Sequence, residues 1–292
     1  MKMGIITRNA NAWCSMQLRL SMKRKGITPV CLKFQDLSAK VGFKPVIYFG
    51  NLSLLEELTS IIVRPIGMGS LEEIIFRMDM LRRLNRLGMP IINHPEAIEI
   101  CVDKYRALTL LEEAGIPVPK TIVTENVREA LKAFHELGGD VVVKPLFGSR
   151  GIGSVRVSDP DTAIRVFKAI AFQHGVIYIQ EFIPHDLSDI RVLVLGGSPI
   201  ASMRRFSYSW KKNVSLGGIP KPAKLSSEIE EMAVKASEVV GCKLVGVDIL
   251  EGKNGCVVVE VNSQPGWKGL QSVTKFNIAD KIVDFMLSEA KR

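Results

Sequence analysis

The chain has 292 residues, 47% of them hydrophobic and 24% charged, with a formal net charge of +9. That length accommodates two or three packed lobes around one cleft, and the composition excludes a disordered or low-complexity chain. No apolar run reaches the roughly 20 residues needed to cross a bilayer, and the opening MKMGIITRNANAW is too briefly apolar for a signal peptide, so a cytoplasmic protein without a membrane partner is expected.

The first predicted elements are a strand at MGIIT, an amphipathic helix from about Ala12 to Lys25 closed by Gly26, and a second strand at TPVCLKF, which together make a β-α-β opening. Ser70, with Glu73 three residues on, reads as a capping box for a helix over 70–88 that Gly88 terminates, and a short strand PIIN follows. A helix from Lys104, stopped by Gly115 and Pro117, feeds a strand-rich stretch with helices at about 127–137, 160–173 and 226–240. These patterns divide the chain into expected lobes at 1–95, 96–183 and 184–292.

Five scattered cysteines, without CxxC spacing or clustered histidine, indicate neither a disulfide framework nor a zinc site. The positive charge calls for an anionic partner. Basic clusters occur at 22–26, 82–86 and 204–212, and only the third, RRFSYSWKK, interleaves aromatic residues. No RNP, helix-turn-helix or zinc-finger pattern accompanies it, so a nucleic-acid partner is not expected.

In CVVVEVN (256–262) a run of valines turns acidic at Glu260 and polar at Asn262. A buried carboxylate costs several kcal/mol unless a cation or donors replace its water. Either the strand has emerged into solvent, or a cation stands beside Glu260. The preceding strand, KLVGVDIL, carries Asp248. An odd-numbered loop at EGKNG would put Asp248, Glu260 and Asn262 on one face of the sheet, whereas a two-residue Lys253-Asn254 turn would put Asp248 on the opposite face. On one face, two carboxylates and an amide make an oxygen-only set that suits Mg²⁺, which takes its remaining ligands from water and substrate phosphates.

Upstream, DVVVKPLFGSRGIGSVRV is a strand with Lys144, a loop with Gly148, Gly151 and Gly153, and another strand. Glycines let backbone N–H groups approach phosphate while a lysine supplies a compact cation. The spacing is neither a Walker A loop nor a Rossmann fingerprint, and a plain glycine-rich hairpin turn would read the same way. In VIYIQEFIP (176–184), Gln180, Glu181, Phe182 and Ile183 either offer main-chain groups and an apolar wall to a flat base or belong to an ordinary edge strand. Asp189 and Arg191 share one face of the strand SDIRVLVLGG, which a surface ion pair would also explain.

In this order and spacing, Lys104, VVVKPLFGSRGIG, IQEFIP, SDIRVLVLG, RRFSYSWKKNVSLGG, GVDIL and EVNSQPGWKGL resemble the ATP-grasp ligases, and among them the RimK-type amino-acid ligases, over essentially the whole chain. The resemblance implies an α/β ATP-grasp fold with an N-terminal Rossmann-like pre-ATP-grasp domain and ATP held between two α+β subdomains. It implies that Lys104 and Lys144 bind the ATP phosphates and that Gly148, Ser149, Arg150, Gly151 and Gly153 lie in the loop that closes over them. Glu181, Phe182 and Ile183, with Gln180, match the linker that reads adenine, and Asp189 lies at a nucleotide-contacting position. Asp248, Glu260 and Asn262 match the ligands of two Mg²⁺ or Mn²⁺ ions. Arg191 and Asn213 match groups near the transferred phosphate and the reacting carboxyl. Lys211 is placed with the nucleotide; Arg204 and Arg205, with Lys211 and Lys212 beside them, suit the carboxylates of an acceptor and an incoming amino acid. The likeness also implies a homo-oligomer, a dimer or a tetramer.

Departures from the pattern fall on the substrate side. Many RimK-type enzymes carry an acidic residue and then Gly-Thr-Gln-Gly where this chain has Phe147-Gly148-Ser149-Arg150. KKNVSLGG keeps Asn213, Gly217 and Gly218 but not the Arg and His of the members that modify ribosomal protein, and Trp267 replaces the commoner Leu. KPLFGSRG and NSQPGWKGLQ most resemble the branch that adds glutamate to small-molecule coenzymes, tetrahydromethanopterin ahead of the deazaflavin coenzyme. The implied activity is ATP-dependent ligation of L-glutamate to an anionic carboxylate acceptor through an acylphosphate. A protein C-terminal tail as acceptor, or a regulatory protein that binds ATP without ligating, are the other readings.

Overall fold

The computed structural model describes residues 1–148, 151–185, 187–214 and 217–291. Strand β1 (Lys2–Ile6), helix α1 (Trp13–Arg24) and strand β2 (Thr28–Leu32) form the β-α-β opening, with the two strands parallel and adjacent. β3 (Ile61–Val63) and β4 (Ile91–Ile92) complete a parallel sheet in the order β2-β1-β3-β4. Helix α2 (Leu71–Arg86) begins at the capping box: Glu73 N donates to Ser70 Oγ at 3.2 Å and Ser70 N to Glu73 Oε2 at 2.9 Å. A small antiparallel sheet at Leu37–Ala39, Ile47–Phe49 and Leu52–Ser53 has strands of two or three residues, too short for an alternating pattern to mark.

Helix α3 (Pro95–Val102), which no predicted element covers, runs into α4 (Lys104–Glu113). Asp103 separates them, its carboxylate accepting from the N–H groups of Tyr105 and Arg106. The second sheet contains β5 (Thr121–Thr124), β6 (Val141–Lys144), β7 (Val155–Val157) and β8 (Ile177–Glu181), antiparallel in the order β7-β6-β8-β5. Helices α5 (Val127–Glu136) and α6 (Pro160–Phe172) cover one face through Phe134 and Phe167, against Val141, Val143, Ile177 and Ile179. Alternation turns Val142, Lys144 and Gln180 to the other face.

The third sheet is antiparallel in the order β11-β10-β9-β12-β13, from β9 (Ser188–Leu195), β10 (Ser198–Phe206), β11 (Ile219–Pro222), β12 (Leu244–Gly252) and β13 (Gly255–Asn262). Ile190, Val192, Val194, Val245 and Val247 pack on helix α7 (Ser227–Val239). The alternate positions face away from α7. Some of them, Leu193, Leu195 and Met203, join Trp267 and helix α8 (Ile278–Glu289) in a core shared with Met3, Leu18 and Met22 of the first sheet and α1. The last helix therefore returns to the start of the chain, where Ser21 Oγ donates to Asp280 at 2.6 Å and Arg24 pairs with the same carboxylate. Among the described residues no helix is long and apolar enough to cross a membrane.

Candidate active site

The hairpin β12–β13 turns through the two residues Lys253 and Asn254, with Gly252 opposite Gly255. Of the two turns weighed from the sequence, this is the two-residue one and not the odd-numbered loop that a shared carboxylate face called for. Carried on unbroken, the observed ladder would set Asp248 against Val259 and send Glu260 to the far side of the sheet. A bulge between Ile249 and Asp248 leaves Val259 without a cross-strand partner, so Asp248 sits directly opposite Glu260 and Gly246 opposite Asn262. All three polar side chains then share one face.

Cations stand beside these carboxylates. Arg191 grips Asp248 through Nε and through Nη2, the latter at 2.5 Å. Arg205 Nη2 lies 2.9 Å from the same carboxylate, while its guanidinium also forks onto Asp189 at 2.7 and 2.5 Å. All four are under one-tenth exposed, and two positive charges balance two negative ones. The guanidinium of Arg191 fits because position 246 is glycine: a Cβ there would lie 2.6 Å from Nη1. Burial favours the neutral acid at Asp248, but Arg191 and Arg205 overcome it and hold the carboxyl below its usual range. Glu260 behaves oppositely. Burial and then the charge of Asp248 push it up, with Arg191, Lys144 and Lys104 only partly offsetting them.

The facing wall comes from the second sheet. Lys144 Nζ donates to Gln180 Oε1 at 2.5 Å, and burial brings its pKa down to about 8 despite the nearby Glu260. Lys104, at the start of α4, donates to the carbonyls of Pro145, Leu146 and Gly148 at 3.0, 3.2 and 3.0 Å, and burial lowers its pKa too. Lys211 Nζ reaches Gly151 O at 3.1 Å and lies over the Trp210 ring. Lysines thus hold both ends of the glycine loop, in which Gly148 and Gly151 line the cleft and Gly153 lies against Pro145. Ser149 and Arg150 lie outside the described residues.

The same cleft is lined by Gln180, Glu181, Phe182, Ile183 and His185. Two N–H groups of this segment are committed within the protein, Glu181 N to Lys120 O and Phe182 N to Asp140 O, at 2.9 and 3.0 Å. His185 Nδ1 is 2.7 Å from Ile183 O, and since a carbonyl only accepts, Nδ1 carries the proton. Nε2 is then a lone-pair acceptor, buried and without a partner among the described residues. A lone His between a Pro and an acidic residue gives no sequence signal for this role.

One cleft therefore gathers Lys104, Lys144, Gly148, Gly151, Gln180, Glu181, Phe182, Ile183, Asp189, Arg205, Lys211, Asn213, Asp248 and Glu260. Arg191 lies beneath it on Asp248, and Asn262 follows Glu260 on the same strand face with a buried amide nitrogen that has no partner among the described residues. Arg204 is not brought in. Strand alternation turns it away from Arg205, and it pairs with Glu251 and reaches Ser188. Lys212 also lines the cleft, but it is buried and its Nζ is engaged by the carbonyls of Ser207 and Ser209 at 2.7 and 2.9 Å. Gly218 is required beside it, because a Cβ would meet Lys212 O at 2.1 Å. Asn93 is a further residue that sequence patterns do not flag. Buried after β4, it donates to Leu244 O and Ser263 O at 2.6 and 2.5 Å and accepts from Lys243 N and Leu244 N, both at 2.8 Å, locking the end of β13 to the start of β12.

Among the described residues no group of three or more His, Cys, Asp and Glu side chains could hold a metal alone. Asp248, Glu260 and Asn262 share one sheet face, with both Asp248 oxygens held by Arg191 and Arg205, so a hard cation there would draw on Glu260 and complete its shell with phosphate and water. Residues 101–286 match the RimK-like ATP-grasp domain. The chain belongs to the RimK-like ATP-grasp family. A Methanococcus maripaludis protein named tetrahydromethanopterin:alpha-L-glutamate ligase is 37% identical to it, with 100% of this chain and 99% of that protein covered. Two solved family folds superpose over nearly the whole length. A RimK domain ATP-grasp protein from Sphaerobacter thermophilus has a TM-score of 0.77 at 21% identity, covering 98% of this chain and 100% of that one. The ATP-grasp ligase PsnB, solved with a minimal precursor, Mg and ADP, has a TM-score of 0.76 at 18% identity, covering 100% and 98%. At these identities the two structures carry the ATP-grasp fold, and the membership makes the chain an ADP-forming ligase by class.

Proposed function

We propose that this protein joins the amino group of L-glutamate to a carboxylate of tetrahydromethanopterin in the cytoplasm, converting ATP to ADP and phosphate. The observation that carries this reading is the end-to-end, 37% likeness to a ligase of that name. The lysine-lined cleft supports it by offering cations for a triphosphate beside a carboxylate pair.

A carboxylate is a poor acyl donor because oxide would have to leave. Attack of an acceptor carboxylate oxygen on the γ-phosphorus of ATP forms a C(O)O–P bond and releases ADP. The glutamate nitrogen then attacks the acyl carbon, phosphate leaves, and the amine gives up a proton. In the first step Lys104 and Lys144 hold the phosphates, and Arg191 supplies positive charge where phosphoryl oxygens become more negative. In the second, the Asn213 amide is the donor for the oxyanion, with the Arg191 charge acting from beneath the cleft behind Asp248. Two divalent ions, Mg²⁺ or Mn²⁺, would be held by Asp248, Glu260 and Asn262 and would neutralise phosphate charge when bound. The glycine loop over the nucleotide keeps water from the acylphosphate.

The test is ADP release and mass spectrometry of the acceptor with ATP, glutamate and either tetrahydromethanopterin, the deazaflavin coenzyme or a peptide C-terminal tail. Tetrahydromethanopterin should gain glutamyl residues. Modification of only one of the other two moves the acceptor, and ADP release indifferent to every acceptor defeats the ligase reading in favour of an ATP-binding regulator.

A further inference from the structure

Two cysteines far apart in the chain bring their sulfur atoms together behind the nucleotide cleft. Cys101 stands in the last turn of α3 and Cys242 just before β12, 141 positions later, and their Sγ atoms are 3.5 Å apart with both thiols free. The helix and the loop touch along their length: Cys242 Sγ lies 4.0 Å from Ala97 O, one turn before Cys101, and a Cβ at Gly241 would lie 3.8 Å from that of Ala97. Thiols this close become a disulfide by closing to about 2.05 Å. Among the described residues no third His, Cys, Asp or Glu joins them to complete a metal site. Cys14, Cys31 and Cys256 are free as well, but none has a sulfur neighbour among the described residues.

Closing the gap pulls on the phosphate-binding machinery. Cys242 is the fixed partner: its N–H donates to Ser237 O at 3.0 Å, its carbonyl accepts from Ser237 Oγ at 2.9 Å, and Asn93 holds the next two N–H groups, both at 2.8 Å. Cys101 stands two residues before the Asp103 cap of α4 and three before Lys104, whose Nζ holds the carbonyls of Pro145, Leu146 and Gly148. Cys101 and Lys104 also line one small cavity with Leu108, Tyr178, Val259 and Glu260. Movement of Cys101 toward Cys242 therefore displaces the lysine that shapes the glycine loop.

We propose that Cys101 and Cys242 are a redox-sensitive dithiol whose disulfide weakens nucleotide binding, a conclusion that rests on the family's use of ATP and not on the choice of acceptor. The oxidant is a hydroperoxide. Cys101, half-buried, meets it first; Cys242 is buried, and its hydrogen bond with Cys101 and then burial push its thiol well above the ordinary value. The Cys101 thiolate attacks a peroxide oxygen, the O–O bond breaks, hydroxide leaves and a sulfenic acid forms. Cys242 sulfur then attacks the Cys101 sulfur, its proton departs with the hydroxyl as water, and the S–S bond closes. Two thiols and one hydrogen peroxide give one disulfide and two waters.

The test treats reduced protein with hydrogen peroxide, maps cross-linked peptides by mass spectrometry and titrates Mg²⁺-ATP by calorimetry. Wild type should yield a Cys101–Cys242 peptide, and its Kd for ATP should rise about fivefold or more and return with dithiothreitol. Cys101→Ala and Cys242→Ala, neither of which touches nucleotide, should bind ATP as reduced wild type does, before and after peroxide. The coupling is reciprocal, so in a glutathione redox buffer saturating ATP should shift the ratio of disulfide to dithiol toward dithiol by the same factor. Absence of the cross-link, a cross-link that leaves ATP affinity and the glutathione equilibrium unchanged, or a loss of affinity that peroxide still produces in both variants overturns the proposal.

Discussion

Asp248 stands directly across the ladder from Glu260 because Val259 is bulged out of the pairing between them. The two carboxylates share a sheet face but not an environment. Asp248 is neutralised by Arg191 and Arg205, whereas Glu260 has only more distant cations to set against its burial and its neighbour's charge.

Their removal should therefore change stability in opposite directions. Asp248→Asn strips two buried guanidinium groups of their shared carboxylate and should cost about 3 kcal/mol in urea unfolding at pH 7. Glu260→Gln should stabilise the ligand-free protein on the order of 1 kcal/mol, as removal of a strained functional charge often does. The signs follow from the shifts. Raised in the fold, Glu260 contributes stability that is present below the unfolded carboxylate pKa and lost as pH rises through the folded value, so its Gln variant should lose that slope. Both variants should lose the Mg²⁺ dependence of nucleotide binding, measured by titration calorimetry.

Nucleotide affinity should fall as pH rises past about 8, because Lys144, with its pKa brought down to about 8 by burial, then loses the charge that attracts phosphate. Bound phosphate will move that midpoint upward. Lys144→Arg, which stays protonated, should flatten the fall in ATP binding between neutral and alkaline pH even if its absolute affinity is lower. An unchanged slope would assign the titration to another group.

His185, which lines the cleft with Phe182 and Ile183, has a buried Nε2 lone pair without a partner among the described residues. If the adenine lies against this segment, its 6-amino group would satisfy that lone pair and the 6-oxo group of ITP would oppose it. Wild type should therefore bind ATP more tightly than ITP, and His185→Phe should narrow that ratio about tenfold, the worth of one hydrogen bond. Equal losses for both nucleotides would mean that His185 only shapes the segment.

Asn93→Ala leaves two backbone carbonyls and two N–H groups of β12 and its flanks without their partner. Unfolding should show a loss of about 2 kcal/mol or more. Because the same amide fixes Ser263, next to Asn262, the Mg²⁺ requirement for nucleotide binding should rise as well.

Much of this was legible in the order of residues. The capping box at Ser70 and Glu73, the helix stop at Gly88, the parallel opening and the strand bearing Lys144 are all set by interactions within a few positions, which spacing and side-chain type record. Many of the polar residues that line the cleft were legible too, but His185 was not, and strand parity points Arg204 at Glu251 instead.

Sequence by itself determined which side chains were available for phosphate and metal, and the short-range signals that start and stop the elements carrying them. Tertiary structure decided what each of them faces. The two-residue turn alone would have separated Asp248 from Glu260, and a single bulged valine reunites them. Arg191 and Arg205 joined Asp189 and Asp248 in a neutral network, while Asn93 closed a hydrogen-bond set with backbone 150 positions away. Such choices rest on register and on contacts between distant segments, where a shift of one residue reverses a side chain's face without altering local propensity.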